Sequence, residues 1–395
     1  MKNKKISPNI ILLGVVSLLN DISSEMVYPI VPIFLTSVLG VPVSVVGLVE
    51  GIADGVSKVV MSISGFWSDK IQRRKLFVGV GYSFASISHL LMSTAGIWPI
   101  VLFARVLNRT GKGVRTAARD AIITESTAKE NRGISFGIHR TMDDFGGVVG
   151  PLLSIVFISW LGMSYRNFFL VAFIPSIIGT LIIFFFIKEL KKKEITKEVL
   201  RFSWSKTGKP FRIFLLISFI FALGNSSDAF LILRSQNLGL SVGLVVFTYV
   251  LFNITNSLFS IPAGIVADKL GYKRVLAAGF VIFALVYFLF GFISDAKYVW
   301  ILFPIYGLYM ALTDGISKAY ISKLIPHEVS ASAFGIYQTI MGFATLFASL
   351  IAGYMWTHLG TRAPFYFGAY MAIMAEILFF TLSKHLKSAE LADQR

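Results

Sequence analysis

The sequence contains no cysteine, which excludes a disulfide framework and any chemistry at a thiol. Charge is scarce as well. Asp, Glu, Lys and Arg make up 15% of the residues, against the roughly 25% that covers the surface of a soluble domain. No metal-ligand cluster, activated nucleophile or nucleotide loop stands out. Gly111-Lys112-Gly113 lacks the spacing of a phosphate-binding loop and falls inside an apolar stretch. These gaps point away from an enzyme, and no cofactor is expected.

What is present is apolar length. Hydrophobic residues form 55% of the chain, mean hydropathy is +0.73, and the apolar residues come in blocks of about twenty. At about 1.5 Å per residue such a block crosses a hydrocarbon layer ~30 Å thick as a helix. Barrel strands would be about half as long. Met1-Lys2-Asn3-Lys4-Lys5 leads into an apolar stretch that continues past Phe34, too long for the apolar core of a cleavable signal. The blocks predict twelve spans: 10–38, 44–67, 76–95, 99–121, 134–160, 167–187, 213–233, 242–266, 275–294, 299–320, 333–357 and 364–383. The expected class is therefore an all-α membrane protein of twelve transmembrane helices.

The net charge of +16 could suggest nucleic acid, but its placement argues against that. Of 37 Lys and Arg, 25 fall on the side of the N-terminus, eight lie within spans, and four (Arg166, Arg234, Lys297, Arg362) fall on the other side. That bias predicts cytoplasmic termini in an inner membrane. The polar stretch 188–212, containing KELKKKEITKE, reads as a cytoplasmic linker whose lysines meet anionic lipid headgroups. It separates a bundle over 1–187 from another over 213–395.

The two halves repeat at an offset near 199. GFWSDKIQRRK at 65–75 matches GIVADKLGYKR at 264–274, and FGIHRTMDDFGGVVGPL at 136–152 matches FGIYQTIMGFATLFASL at 334–350. Ser23-Ser24-Glu25 corresponds to Ser226-Ser227-Asp228. Two similarly oriented six-helix bundles, pseudo-symmetric about an axis along the membrane normal, are one architecture of secondary transporters.

The loop after the second span of each half resembles the signature of the major facilitator superfamily, G-x-x-x-D-(R/K)-x-G-x-(R/K). One copy has Gly264, Asp268, Lys269, Gly271, Lys273 and Arg274; the other has Gly65, Asp69, Lys70, Arg73, Arg74 and Lys75, with Gln72 where the second glycine belongs. The resemblance implies a latch between access states, assigned to Gly65, Asp69, Arg73 and Asp268. Gly146-x-x-x-Gly150-Pro151 resembles the motif of the superfamily's proton-driven exporters, which would place Gly150 and Pro151 in gating. Small residues and a proline equally suit tight packing and a kink.

Ionisable residues at lipid depth are expensive, so each is a functional candidate. Glu50, Asp54 and Lys58 form one helical stripe in the second span, where the other half has Tyr249, Asn253 and Ser257. Arg105, Arg109 and Lys112 share a face of the fourth span, with Arg115 and Arg119 nearer the cytoplasm, where snorkelling to the interface is expected. His139, Arg140, Asp143 and Asp144 lie in the fifth. Asp54/Lys58, His139/Asp143 and Arg140/Asp144 are spaced to pair within their own helices. His89 reads as a packing histidine.

These residues predict a secondary transporter working by alternating access. Asp21, Glu25, Asp143 and Asp144 are the expected proton-coupling carboxylates. Glu50, Asp54, Lys58, Arg105, Arg109, Lys112, His139 and Arg140 are the expected solute contacts, joined by Tyr28, Asn225, Asp228, Tyr249, Asn253, Tyr306 and Gln338. Pro29 and Pro32 are placed to break the first span. The cations favour a small anionic or zwitterionic organic solute, and the Gly-Pro motif favours export by proton antiport. Import of an anion such as a siderophore or carboxylate is the alternative, and a non-transporting membrane sensor is the alternative of another class. The partners expected are solute, lipid and proton gradient, with no nucleic acid, for a monomer.

Overall fold

A computed structural model describes residues 7–71, 73–127, 131–189, 207–325 and 330–382. Among these residues the chain is helical, with no strand. The first bundle contains α1 (Pro8–Val27, continued by Ile30–Ile33 and Phe34–Val38), α2 (Val43–Ile71), α3 (Arg74–Ser93), α4 (Trp98–Glu125), α5 (Arg132–Ser154, continued by Ile155–Trp160) and α6 (Tyr165–Phe186). The second contains α7 (Gly208–Gly224, continued by Ala229–Asn237), α8 (Val242–Leu270), α9 (Tyr272–Phe292), α10 (Val299–Leu324), α11 (Ser330–Leu359) and α12 (Ala363–Thr381). Most of the linker expected at 188–212 lies outside the described residues.

Ten of these helices are long and apolar enough to cross a membrane by composition alone. The other two, α2 and α4, have 29 and 28 residues. They are as long as their neighbours, but they carry Glu50, Asp54 and Lys58 or the cationic run from Arg105 to Arg119. Their departure from the apolar rule is thus the ionic chemistry itself.

The repeat survives in three dimensions. In the first bundle α1 packs on α5 and α6, and α3 packs on α4 and α6; in the second, α7 packs on α11 and α12, and α9 packs on α10 and α12. The turns repeat as well. Gly40 and Gly239, 199 residues apart in sequence, both turn the chain with φ of 64° and 102°, a conformation cheap only for glycine. Gly271 adopts φ 94° in the second signature loop, whereas the matching Gln72 lies outside the described residues.

Contacts divide the chain into two compact units. Unit 1 is Met1–Val41, Ile52–Ile195 and Ser241–Val250; unit 2 is Pro42–Gly51, Thr196–Leu240 and Leu251–Arg395. The first turns of α2 and α8 are therefore exchanged relative to the sequence repeat.

Both bundles open with an interrupted helix. In α1 the interruption follows Val27 at Tyr28-Pro29 and is succeeded by a π turn over Phe34–Val38, in keeping with the proline. In α7 it spans Asn225–Asp228 without proline, following Gly224 in a Gly-Asn-Ser-Ser-Asp run of turn-forming residues. Beyond it, Arg234 is not the free outer-loop charge its position suggests. It is 3% exposed and donates to the carbonyls of Phe290 and Ile293 at 3.1 and 2.8 Å, to Asn237 Oδ1 at 2.7 Å and to Thr361 Oγ1 at 3.2 Å. One guanidinium thus ties three turns together. Arg234→Ala leaves two buried carbonyls without donors, and a loss of roughly 3 kcal/mol is expected. Thermal unfolding of the purified protein should show it as a fall of about 5–10 °C.

Candidate functional site, an ionic cavity in unit 1

Small residues set the backbones around α4 close together. A side chain on Gly81 would meet Gly111 O at 2.6 Å, and one on Gly113 would meet Ser57 O at 2.8 Å. The two glycines flanking Lys112 therefore press α4 between α3 and α2, and Ser64 Oγ bonds Gly113 O at 2.8 Å. The seam between α1 and α5 is equally tight. A Cβ on Gly146 would lie 2.9 Å from Asp21 Cβ, and one on Gly150 would lie 2.6 Å from Ile22 O and 3.0 Å from Glu25 Cβ. Glycines 146 and 150 thus fix the depth at which α1 holds Asp21 and Glu25.

A small cavity of about 40 Å³ results. Its wall is Asp21, Ser24, Glu25 and Tyr28 of α1, and Arg105, Asn108, Arg109, Lys112 and Arg115 of α4. All nine belong to unit 1. The α4 residues fall at i, i+3, i+4, i+7 and i+10, a single helical stripe. Four cations and two carboxylates meet there.

The cations are not equivalent. Arg109 Nε stands 2.9 Å from Asp54 Oδ1 of α2, a contact made by charge rather than along an aligned N–H, and its guanidinium lies 5.4 Å from the Tyr28 ring. Arg105 approaches the same ring at 5.3 Å. Lys112 is exposed at the cavity. Arg115 is 4% exposed and lies 4.4 Å over the Tyr82 ring, yet its Nε and Nη1 have no acceptor among the described residues. A desolvated guanidinium with two idle N–H groups is costly. Ser24 Oγ is likewise buried without a partner. Glu25, by contrast, accepts from Tyr249 OH at 3.1 Å, and Tyr249 also packs on Tyr28 at 5.6 Å.

A second cluster lies further along α4 and α5. Arg119 Nη1 is 3.8 Å from Asp143 Oδ2 and donates to Ser17 Oγ at 3.3 Å, while its Nε pairs with Asp120 at 3.1 Å. His139 Nδ1 is 3.8 Å from the same Asp143 oxygen. Neither His139 nor Asp143 lines the cavity.

Other expected site residues have local partners. Arg140 and Asp144 pair at 3.1 Å within α5, with 61% and 28% of their side chains exposed, and neither enters the cavity wall. Lys58 is also absent from that wall; Asp54 has turned to Arg109 on another helix rather than to Lys58 on its own. His89 is 1% exposed and faces Ser23 Oγ at 2.8 Å. Ser23 donates its one hydroxyl proton to Ala172 O, so His89 donates through Nδ1. It is a packing histidine.

The candidates in unit 2 have their own setting. Glu50 is fully buried. Tyr306 OH donates to Asp228 Oδ1 at 2.7 Å, and Asn225 Nδ2 donates to Tyr309 OH at 2.9 Å. Asn253 and Gln338 are half-buried on α8 and α11. In the signature loops, Asp268 accepts from Tyr272 OH and Arg73 is exposed, while the Asp69 side chain lies outside the described residues. Gly65 leaves a Cβ 3.4 Å from Ala117. The neighbouring Arg74 pairs with Glu125 at 2.9 Å. Pro151 is buried inside α5. Sequence reasoning missed Ser24, Asn108 and Arg115 as cavity residues; the α4 stripe, extended one turn, would have found the last two.

The Major Facilitator Superfamily model matches residues 13–233 and again 213–394. The chain belongs to that superfamily. It is a multi-pass membrane transporter, and not an enzyme. It is 39% identical over 384 residues to an uncharacterized MFS-type transporter of Methanocaldococcus jannaschii, covering 95% of each chain. It is 26% identical over 361 residues to a multi-drug resistance efflux pump PmrA homolog of Lactococcus lactis, covering 84% of this chain and 85% of that one. The crystal structure of nucleoside transporter NupG superposes with a TM-score of 0.74 at 15% identity, over 95% of this chain and 99% of the other. That last likeness speaks for the fold alone.

Proposed function

We propose that the protein is a proton-coupled exporter of a small organic anion or zwitterion, with its termini in the cytoplasm of a cell whose inner membrane it spans. The observation that carries the reading is Arg115, whose buried Nε and Nη1 border the cavity without acceptors. A carboxylate, phosphate or sulfonate of the solute supplies acceptor oxygens to these N–H groups, which point from different edges of the guanidinium. Tyr28, flanked by Arg105 and Arg109, offers a ring face for an apolar or aromatic body. Asp21 and Glu25 stand in the same wall, so the solute's anionic group competes with them for the cations. A cationic group of a zwitterion pairs with either carboxylate only while that carboxylate is deprotonated, so proton and solute occupy the wall in turn, as export against entering protons requires. The Gly150-Pro151 motif and the likeness to the efflux pump homolog support export.

The test is proton flux in proteoliposomes challenged with a panel of carboxylates, phosphates and sulfonates. At least one anion is expected to drive proton movement, and its neutral amide or ester is expected to drive none. Equal responses to the anion and its neutral analogue would defeat the anion reading. Absence of flux with the whole panel would defeat proton coupling.

A further inference from the structure

The expected solute contact His139 is set apart from the cavity, and its surroundings suit another task. It lies two turns into α5, 4% exposed, and its Nε2 is buried without a partner. On the same face one turn earlier is Ser135, 2% exposed, which accepts from Thr127 Oγ1 at 3.1 Å and bonds Asn131 O at 3.1 Å at the start of the helix. One turn later is Asp143, whose Oδ1 is also buried without a partner. Ser135, His139 and Asp143 thus form a stripe at i, i+4 and i+8. It runs from the entry end of α5 towards Gly146, where the helix rests against Asp21.

We propose that His139 is a proton relay between the aqueous phase at the N-terminal end of α5 and Asp143, separate from the solute cavity. A proton arriving at Nε2 of the neutral ring gives an imidazolium. Its Nδ1 proton then passes to Asp143 Oδ2, a 3.8 Å gap closed by a rotation of either side chain. The products are a neutral imidazole and a neutral carboxyl, so charge and protons balance. The unpartnered Nε2 of His139 receives the proton, and the carboxylate one turn on, within a side-chain rotation of Nδ1, takes it up. The charged groups facing His139 are Arg119 and Arg115 from α4 and Asp143 and Arg140 from its own helix. Those facing Asp143 are Arg119, His139 and Lys112, with the Ser17 hydroxyl from α1 and the Asp21 carboxyl beyond. Neutralising Asp143 removes one of the two carboxylates beside Arg119 and leaves it paired with Asp120 alone, which links proton arrival to the contact between α4 and α5.

The relay rests on the proton-coupled reading, but its test needs no solute. In a Ser24→Cys background, single in thiol because the chain has no cysteine, the rate of labelling by an anionic methanethiosulfonate reports access to the cavity. Divided at each pH by the reagent's rate with a free small thiol, which removes the thiolate's own titration, it is expected to change about fivefold as pH falls from roughly 8 to roughly 4. His139→Gln keeps the side chain polar and similar in size, and is expected to flatten the profile to within about 1.5-fold. His139→Glu restores a proton carrier and should return part of the dependence, which a merely structural histidine would not. A His139→Gln profile like the parent's, a flat parental profile, or a His139→Glu variant as flat as the Gln variant would each overturn the relay. Solute-driven proton flux is a separate measurement, so failure of the export reading and failure of the relay are distinguishable.

Discussion

Arg115→Met is expected to give a protein that is more stable than the parent and fails to hold its anion. The guanidinium is buried with two N–H groups unaccepted, and an uncompensated buried cation costs several kcal/mol. Stacking over Tyr82 at 4.4 Å returns on the order of 2 kcal/mol when desolvated. Desolvation wins. Methionine of similar length fills the space without charge, so the melting temperature should rise by a few degrees. Binding moves the other way. Two hydrogen bonds to a charged group contribute about 1.5–3 kcal/mol each, so affinity for the anion identified by the flux panel should fall at least ~100-fold. Arg115→Lys keeps the charge but loses the fork, and should fall between. A lower melting temperature with unchanged anion affinity would mark Arg115 as a packing residue.

Gly150→Ala is the second large effect, from a single methyl group. Its Cβ would stand 2.6 Å from Ile22 O and 2.9 Å from Met26 N. Both are backbone atoms that no rotamer change can move aside, so α1 must retreat from α5 by several tenths of an ångström. That shift carries Asp21, Ser24, Glu25 and Tyr28, almost half of the cavity wall. Misplacement approaching 1 Å costs up to about 100-fold in a positioned reaction, so transport should drop at least tenfold while the chain still inserts. Gly147→Ala is the control, since a Cβ there meets nothing within 4 Å, and it should transport like the parent. Equal activity in both variants would show the α1–α5 seam to be irrelevant to the site.

Much of the fold was legible because lipid imposes a length and a polarity that few soluble constraints match. Twelve blocks, the repeat and the two signature loops follow directly from residue order, and Pro29 is visible in it. The α7 interruption was passed over because one apolar block was read straight through it, although Gly224-Asn-Ser-Ser-Asp228 has turn composition; neighbouring tyrosines hold Asn225 and Asp228. The site was legible as a set of helices and less so as a set of contacts. The stripe on α4 is a matter of 3.6-residue arithmetic, but depth along it is not. Arg115 looked close enough to the end of the helix to reach water, whereas packing of Gly81 against its Cβ draws it inward. Pairing across helices was hidden for the same reason. Asp54 is spaced to pair with Lys58 yet meets Arg109, and His139, which faces Asp143 as its spacing suggests, also faces Arg119 of α4.

Everything proposed for transport depends on the cationic stripe of α4 meeting water in a cavity that prefers anions. Because the chain lacks cysteine, Ser24→Cys places one reporter thiol in that wall. Its reaction rates with a sulfonate-bearing and a trimethylammonium-bearing methanethiosulfonate, each divided by the reagent's rate with a free small thiol, give the sign of the local potential. The four cations of the wall against its two carboxylates predict that the sulfonate reagent is favoured, and that Arg115→Met reduces the preference. A thiol that neither reagent reaches, or one that favours the trimethylammonium reagent, would contradict the account.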